Sequence, residues 1–121
     1  MTMKPTSGQV LEEIYKVIVS RKGGDPETSH TARLFKKGRG KIAKKTGEEA
    51  IEVIVAALHQ TPDRVIRESA DLLFHLMVLW ADQGITPAQV FTELESRMGV
   101  SGIEEKRSRP KQGPRSDDDP E

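Results

Sequence analysis

Apolar positions along the chain recur at helical spacing. Val10, Leu11, Ile14, Val17 and Ile18 step by three and four residues, so residues 7 to 21 read as an amphipathic helix. GGDPETS at 23–29 is a loop, in which Thr28 or Ser29 can cap a short helix running through Phe35. GRG at 38–40 is expected to break the chain again before a long helix from about Lys41 to His59. Thr61-Pro62-Asp63 supplies an N-cap, a first-turn proline and an early acid, which open a helix to about Gln83 with Gly84 as its stop. Thr86-Pro87 repeats the start signal for a last helix ending near Met98-Gly99. No stretch shows the two-residue alternation of a strand. The expected fold class is all-α, a bundle of about four to five helices over residues 1–100.

The two central helices are apolar nearly all round at 50–58 and 72–81. A helix apolar on every face must be covered on every face, and one small chain has too few helices to do it. The pattern therefore predicts a homodimer with these helices at its centre, the core being completed by dimerisation. From Ser101 the composition changes. SGIEEKRSRPKQGPRSDDDPE has one aliphatic residue, three prolines and a charge run, so residues 101–121 are expected to be a polar tail, disordered beyond Lys106.

Carboxylates interrupt the apolar helices. Glu48, Glu49 and Glu52 stand in KKTGEEAIEVIVAALHQ, 44 to 60, and Glu68 and Asp71 in VIRESADLLFHLMVLW. A carboxylate that loses its water costs several kcal/mol, on the order given by transfer data, unless a cation or donors replace it. Glu49 with Glu52, and Glu68 with Asp71, are each spaced i, i+3 and so share a helical face. A two-residue break between the helices packs them antiparallel, and the two acidic pairs can then face each other. Such an oxygen-only set suits Mg²⁺ or Mn²⁺ rather than zinc, which makes Glu49, Glu52, Glu68 and Asp71 candidate ligands. The plainer alternative leaves Glu48 and Glu49 solvated and pairs Glu52 with Lys44 or Lys45.

Charge and composition sharpen this picture. The chain has 121 residues, enough for one domain with its own core, and 19 basic against 19 acidic side chains. Zero net charge argues against a general nucleic-acid binder. Locally, however, Arg33, Lys36, Lys37, Arg39, Lys41, Lys44 and Lys45 crowd a segment with no acid between Thr28 and Gly47. With Gly38 and Gly40 baring backbone N–H groups, that segment reads as an anion site. Phe35 is its sole aromatic, too little for base stacking along a strand. His30 precedes the run, within reach of a substrate. His75 follows Asp71 by four residues, either as an acid–base group or ligand or, the commoner case, as a hydrogen-bonded core histidine. Met77 and Trp80 fit a core or a dimer interface. There is no cysteine, which rules out disulfides and thiol chemistry. The N-terminus shows no apolar signal region, and the longest apolar run, Leu72 to Ala81, falls short of the roughly 20 residues that span a bilayer. A cytoplasmic protein without a membrane partner is expected.

EExxE at 48–52, then fifteen residues, then ExxD at 68–71 resembles the metal-binding signature of the all-α nucleoside triphosphate pyrophosphohydrolases, the MazG-like superfamily. SHTARLFKKGRGKIAKKTGEEAIEVIVAA, 29 to 57, and ESADLLFHLMVLWADQGI, 68 to 85, resemble the phosphoribosyl-ATP pyrophosphatases of histidine biosynthesis, from about Val10 to Gly99. His30 stands where that family usually has Tyr, Thr46 where it commonly has Val, and Phe74 where it has Tyr. The resemblance implies Mg²⁺-dependent hydrolysis of phosphoribosyl-ATP to phosphoribosyl-AMP and pyrophosphate, with Mn²⁺ as a substitute metal. It implies Glu49, Glu52, Glu68 and Asp71 as metal ligands and Glu48 or Glu49 as the base. His30, Arg33, Lys37, Lys41 and Lys45 would then contact the substrate. The chain shows no cyclohydrolase segment, so the next step of the pathway is expected on another polypeptide. Two other readings share parts of this pattern: a house-cleaning NTP pyrophosphohydrolase, and a non-catalytic helical dimer that binds nucleotide.

Overall fold

The computed structural model describes residues 8–99, which form five helices and no strand: α1 (Gln9–Arg21), α2 (His30–Lys37), α3 (Arg39–His59), α4 (Pro62–Asp82) and α5 (Pro87–Ser96). The expectations for the tail from Ser101 lie outside these residues. The described residues up to Pro87 make one compact unit, and those from Ala88, the remainder of α5 and the turn to Gly99, belong to another.

Local chemistry sets the helix ends. Ser29 caps α2 by accepting from the Ala32 N–H at 3.1 Å, and Thr61 caps α4 by accepting from Arg64 N–H at 3.3 Å, with Pro62 next in line. After Asp82 the chain turns through Gly84 at φ 73°. Gly84 N–H donates to Ala81 O and Ile85 N–H to Trp80 O, the two bonds of a Schellman motif. The expected break at 38–40 shrinks to Gly38 alone. Gly38 has φ 95° and ψ 173°, a region that only glycine occupies at low cost, and serves as both the C-cap of α2 and the N-cap of α3. Arg39 and Gly40 are already helical, since one glycine in a first turn costs a helix only about 1 kcal/mol.

α3 and α4 pack on each other as the dominant pair, joined by Gln60 and Thr61, with α1 lying against α4 and α2 against α3. Ile18, Leu34, Ile42, Met77, Val78 and Ala81 form the buried core, and Trp80, Phe35 and Phe74 pack around it. Met77 is therefore core. Tyr15 Oη donates to Ile85 O at 2.7 Å and ties α1 to the end of α4.

Not every apolar residue of the central helices is covered. Ile51, Ile54 and Leu58 on α3 are 60%, 55% and 71% exposed, and Ile66 on α4 is 69% exposed. Their i, i+3, i+7 spacing makes one open stripe on α3, the face left over once the opposite side has packed on α4.

Candidate metal and phosphate site

Helix pairing brings three of the expected carboxylates together. Glu49 from α3 meets Glu68 and Asp71 from α4, and one oxygen of each lies within 4.8 Å of the others. Glu68 is only 8% exposed. Its Oε1 accepts from Arg64 Nη2 at 3.0 Å, and Lys45 Nζ lies 3.6 Å from Glu49 Oε1. Two cations thus face three carboxylates, leaving a net negative, oxygen-only cluster of the kind a hard divalent cation fits.

Glu48 and Glu52 stand apart from this cluster and are exposed. Glu52 is level with Glu68 across the Gln60–Thr61 turn. A step of three residues advances about 300°, however, so Glu52 projects about 60° away from the direction of Glu49 and toward solvent. Lys45 pairs with Glu49 rather than with Glu52, and no ion pair holds Glu52 among the described residues. Asp71 is exposed where Glu68 is buried, so the cluster has a dry side and a wet side.

Beside the acids lies a cationic face. His30, Arg33 and Lys37 recur at i, i+3, i+7 on α2. Burial foremost, and then the charges of His75, Arg33, Lys45 and Lys37, push the His30 imidazole below its ordinary value of 6.5. His30 is thus biased toward its neutral form by the same cations that favour an anion beside it. Arg33 holds the preceding loop through Nε and Nη2, which donate to Pro26 O at 3.2 and 3.0 Å. Arg39 is drawn off to Asp82 at 2.7 Å. Lys36, Lys37, Lys41 and Lys44 are exposed, with no carboxylate in salt-bridge distance among the described residues.

His75 is a core histidine. Its Nδ1 lies 2.8 Å from Asp71 O, which assigns the proton to Nδ1, and its buried Nε2 has no partner. The His30 ring stands edge-on to it, with centroids 6.4 Å apart. Thr46 Oγ1 donates to Ile42 O at 2.9 Å and lies 3.3 Å from His75 O, where α3 meets α4. Arg64 and Thr46 were not among the expected site residues. The position of Arg64, one helical turn before Glu68, is the signal that identifies it as a partner.

Three carboxylates on paired helices, flanked by a cationic face, define a class of helical protein that sets an acidic candidate metal centre beside room for an anion. Metal-assisted phosphate chemistry requires both parts. The chain belongs to the phosphoribosyl-ATP pyrophosphohydrolase family, whose profile matches residues 11–98. It is 60% identical over 103 residues to a phosphoribosyl-ATP pyrophosphatase of Paramagnetospirillum magneticum, covering 85% of this chain and 94% of that one. It is also 56% identical over 107 residues to the protein of that name from Rhodospirillum rubrum, covering 88% and 92%, and 52% identical over 103 residues to that of Azospirillum brasilense, covering 85% and 93%.

Proposed function

We propose that the protein hydrolyses phosphoribosyl-ATP to phosphoribosyl-AMP and pyrophosphate with Mg²⁺, the second step of histidine biosynthesis. The carrying observation is the Glu49, Glu68 and Asp71 cluster in a chain of this family. Glu49, Glu68 and Asp71 would hold the ion, and Glu52 would join them only by swinging in from solvent. Bound there, Mg²⁺ would neutralise the charge of the triphosphate and of the departing pyrophosphate. Arg33, Lys37, Lys41 and Lys45 bind and orient the phosphates, Lys45 doing so from beside Glu49. Glu48 or Glu49 takes the proton of the attacking water, and His30 contacts the substrate from α2. Water adds across the anhydride between the α and β phosphates, so one P–O bond forms and one breaks.

The open stripe of Ile51, Ile54 and Leu58, with Ile66 beside it, is covered by a second copy of the chain. The dimer works in the cytoplasm. Pyrophosphate release with Mg²⁺ from phosphoribosyl-ATP, measured against ATP and a set of dNTPs, tests the activity. A strong preference for phosphoribosyl-ATP is expected. Preference for another nucleotide would move the protein to the house-cleaning enzymes, and silence on all of them with Mg²⁺ and Mn²⁺ would refute catalysis.

A further inference from the structure

A second cleft lies on the opposite face of α2 from His30. It holds about 440 Å³ and is lined by Lys22, Gly24, Pro26, Phe35, Lys36 and Asp82 among others. Its charges are unbalanced. Lys22 Nζ sits 5.7 Å above the Phe35 ring centre and 3.5 Å from Ala81 O, and Lys36 is exposed on the rim. Among the described residues neither lysine has a carboxylate in salt-bridge distance. The one acid in the wall, Asp82, already has Arg39 at 2.7 Å on its Oδ2. Two ammonium groups without a carboxylate partner, an offset carboxylate and an apolar ring make a site for a phosphomonoester carried on a polar, compact body. The wall is also tight. A Cβ built on Gly24 would come within 3.0 Å of Arg21 O, so a side chain there would displace the turn that shapes the cleft.

The cleft and the acidic cluster are joined by α4. Asp82 follows Asp71 by three turns, about 16 Å along the axis. α2 runs alongside in the same direction, with His30 beside His75 at one end and Lys36 sharing the cleft with Asp82 at the other. A ligand with anions at both ends, separated by two pentoses and a purine, can touch both. We infer that this cleft binds the phosphorylated ribose at the far end of phosphoribosyl-ATP, with Lys22 and Lys36 on its phosphate and the remaining Asp82 oxygen accepting from a ribose hydroxyl. The inference rests on the proposed function and adds to it what separates this substrate from ATP, since ATP has no group to place there.

The test is steady-state kinetics of the full chain with Mg²⁺, on phosphoribosyl-ATP and on ATP, for wild type and Lys36→Ala. The variant should raise KM for phosphoribosyl-ATP about tenfold with kcat little changed, and leave turnover of ATP where it was. Ribose 5-phosphate should shift the amide NMR signals of Gly24 and Lys22 in wild type and shift them far less in Lys36→Ala. An unchanged KM, or shifts confined to the acidic cluster, overturns the inference. So does inorganic phosphate acting as strongly as ribose 5-phosphate, which would make the cleft a site for free phosphate. If phosphoribosyl-ATP is not hydrolysed at all, the proposed function fails. The ribose 5-phosphate shifts, and their loss in Lys36→Ala, still decide the cleft.

Discussion

Replacing Glu68 by Gln should make the metal-free protein more stable while removing its response to metal. Glu68 is 8% exposed, and its carboxylate lies within 4.8 Å of those of Glu49 and Asp71. Unit charges at that separation repel by about 3.5 kcal/mol at an effective dielectric near 20 and by about 1 kcal/mol in bulk water. Asp71 faces solvent and Glu49 has Lys45, so the lower figure applies to each of the two contacts. Losing the charge also weakens the bond from Arg64, a half-exposed pair worth about 0.5–1 kcal/mol. The balance favours the variant by about 1 kcal/mol, or about 3–5 °C in melting temperature for a domain of this size. Thermal and urea unfolding, each in EDTA and in excess Mg²⁺, measure both halves of the prediction. Wild type should gain stability from Mg²⁺ in proportion to occupancy, and the variant should not. A metal-free variant weaker than wild type would show that the three carboxylates are not in conflict. An undiminished Mg²⁺ response would take Glu68 out of the site.

Three further outcomes are expected. His30 titrates below its ordinary value of 6.5 in the fold, so the unfolded chain takes the proton first as the pH falls. Its contribution to stability is complete above 6.5 and is lost as the pH falls from there toward the lower folded value. The fall in urea-unfolding free energy between about pH 7.5 and 5.5 should be smaller in His30→Gln than in wild type, and an equal fall would refute the shift. Gly38→Ala forces a side chain into φ 95° and ψ 173° and should destabilise by about 1–3 kcal/mol, read from the urea midpoint at unchanged slope. Ile54→Asp places a charge in the open stripe of α3, which the proposed dimer buries. Sedimentation should show the dissociation constant rising at least about a hundredfold, whereas an unaltered dimer would mean that a different face assembles.

Helix starts and stops were legible in the sequence because they are local. Ser29, Thr61 and Gly84 each act through bonds to residues two to five positions away. The two extra residues at the start of α3, Arg39 and Gly40, were not legible, because Gly38 and Gly40 look alike as letters and only one of them takes positive φ. Spacing alone also put Glu49, Glu68 and Asp71 in one place. Spacing could not place Glu52, which shares their height on the paired helices but not their direction. The tie of Arg39 to Asp82 spans 43 positions and depends on how α3 lies against α4, which no local pattern encodes. Surplus apolar character on α3 was plain in the sequence, and the structure shows which of those residues, Ile51, Ile54, Val55 and Leu58, remain uncovered.

Gly38 has an effect beyond the turn it makes. α2 carries His30, Arg33 and Lys37, α3 carries Glu49, and a single residue separates the two helices. The distance between the two helix ends that meet there is therefore a covalent length, written into the chain before any packing occurs. A loosened core would blur many distances in this protein, but that one would survive. An extra residue beside Gly38 would instead rotate and shift His30, Arg33 and Lys37 relative to Glu49 and the lysines of α3 at once, whereas the same insertion in the loop at 23–29 would leave their register intact.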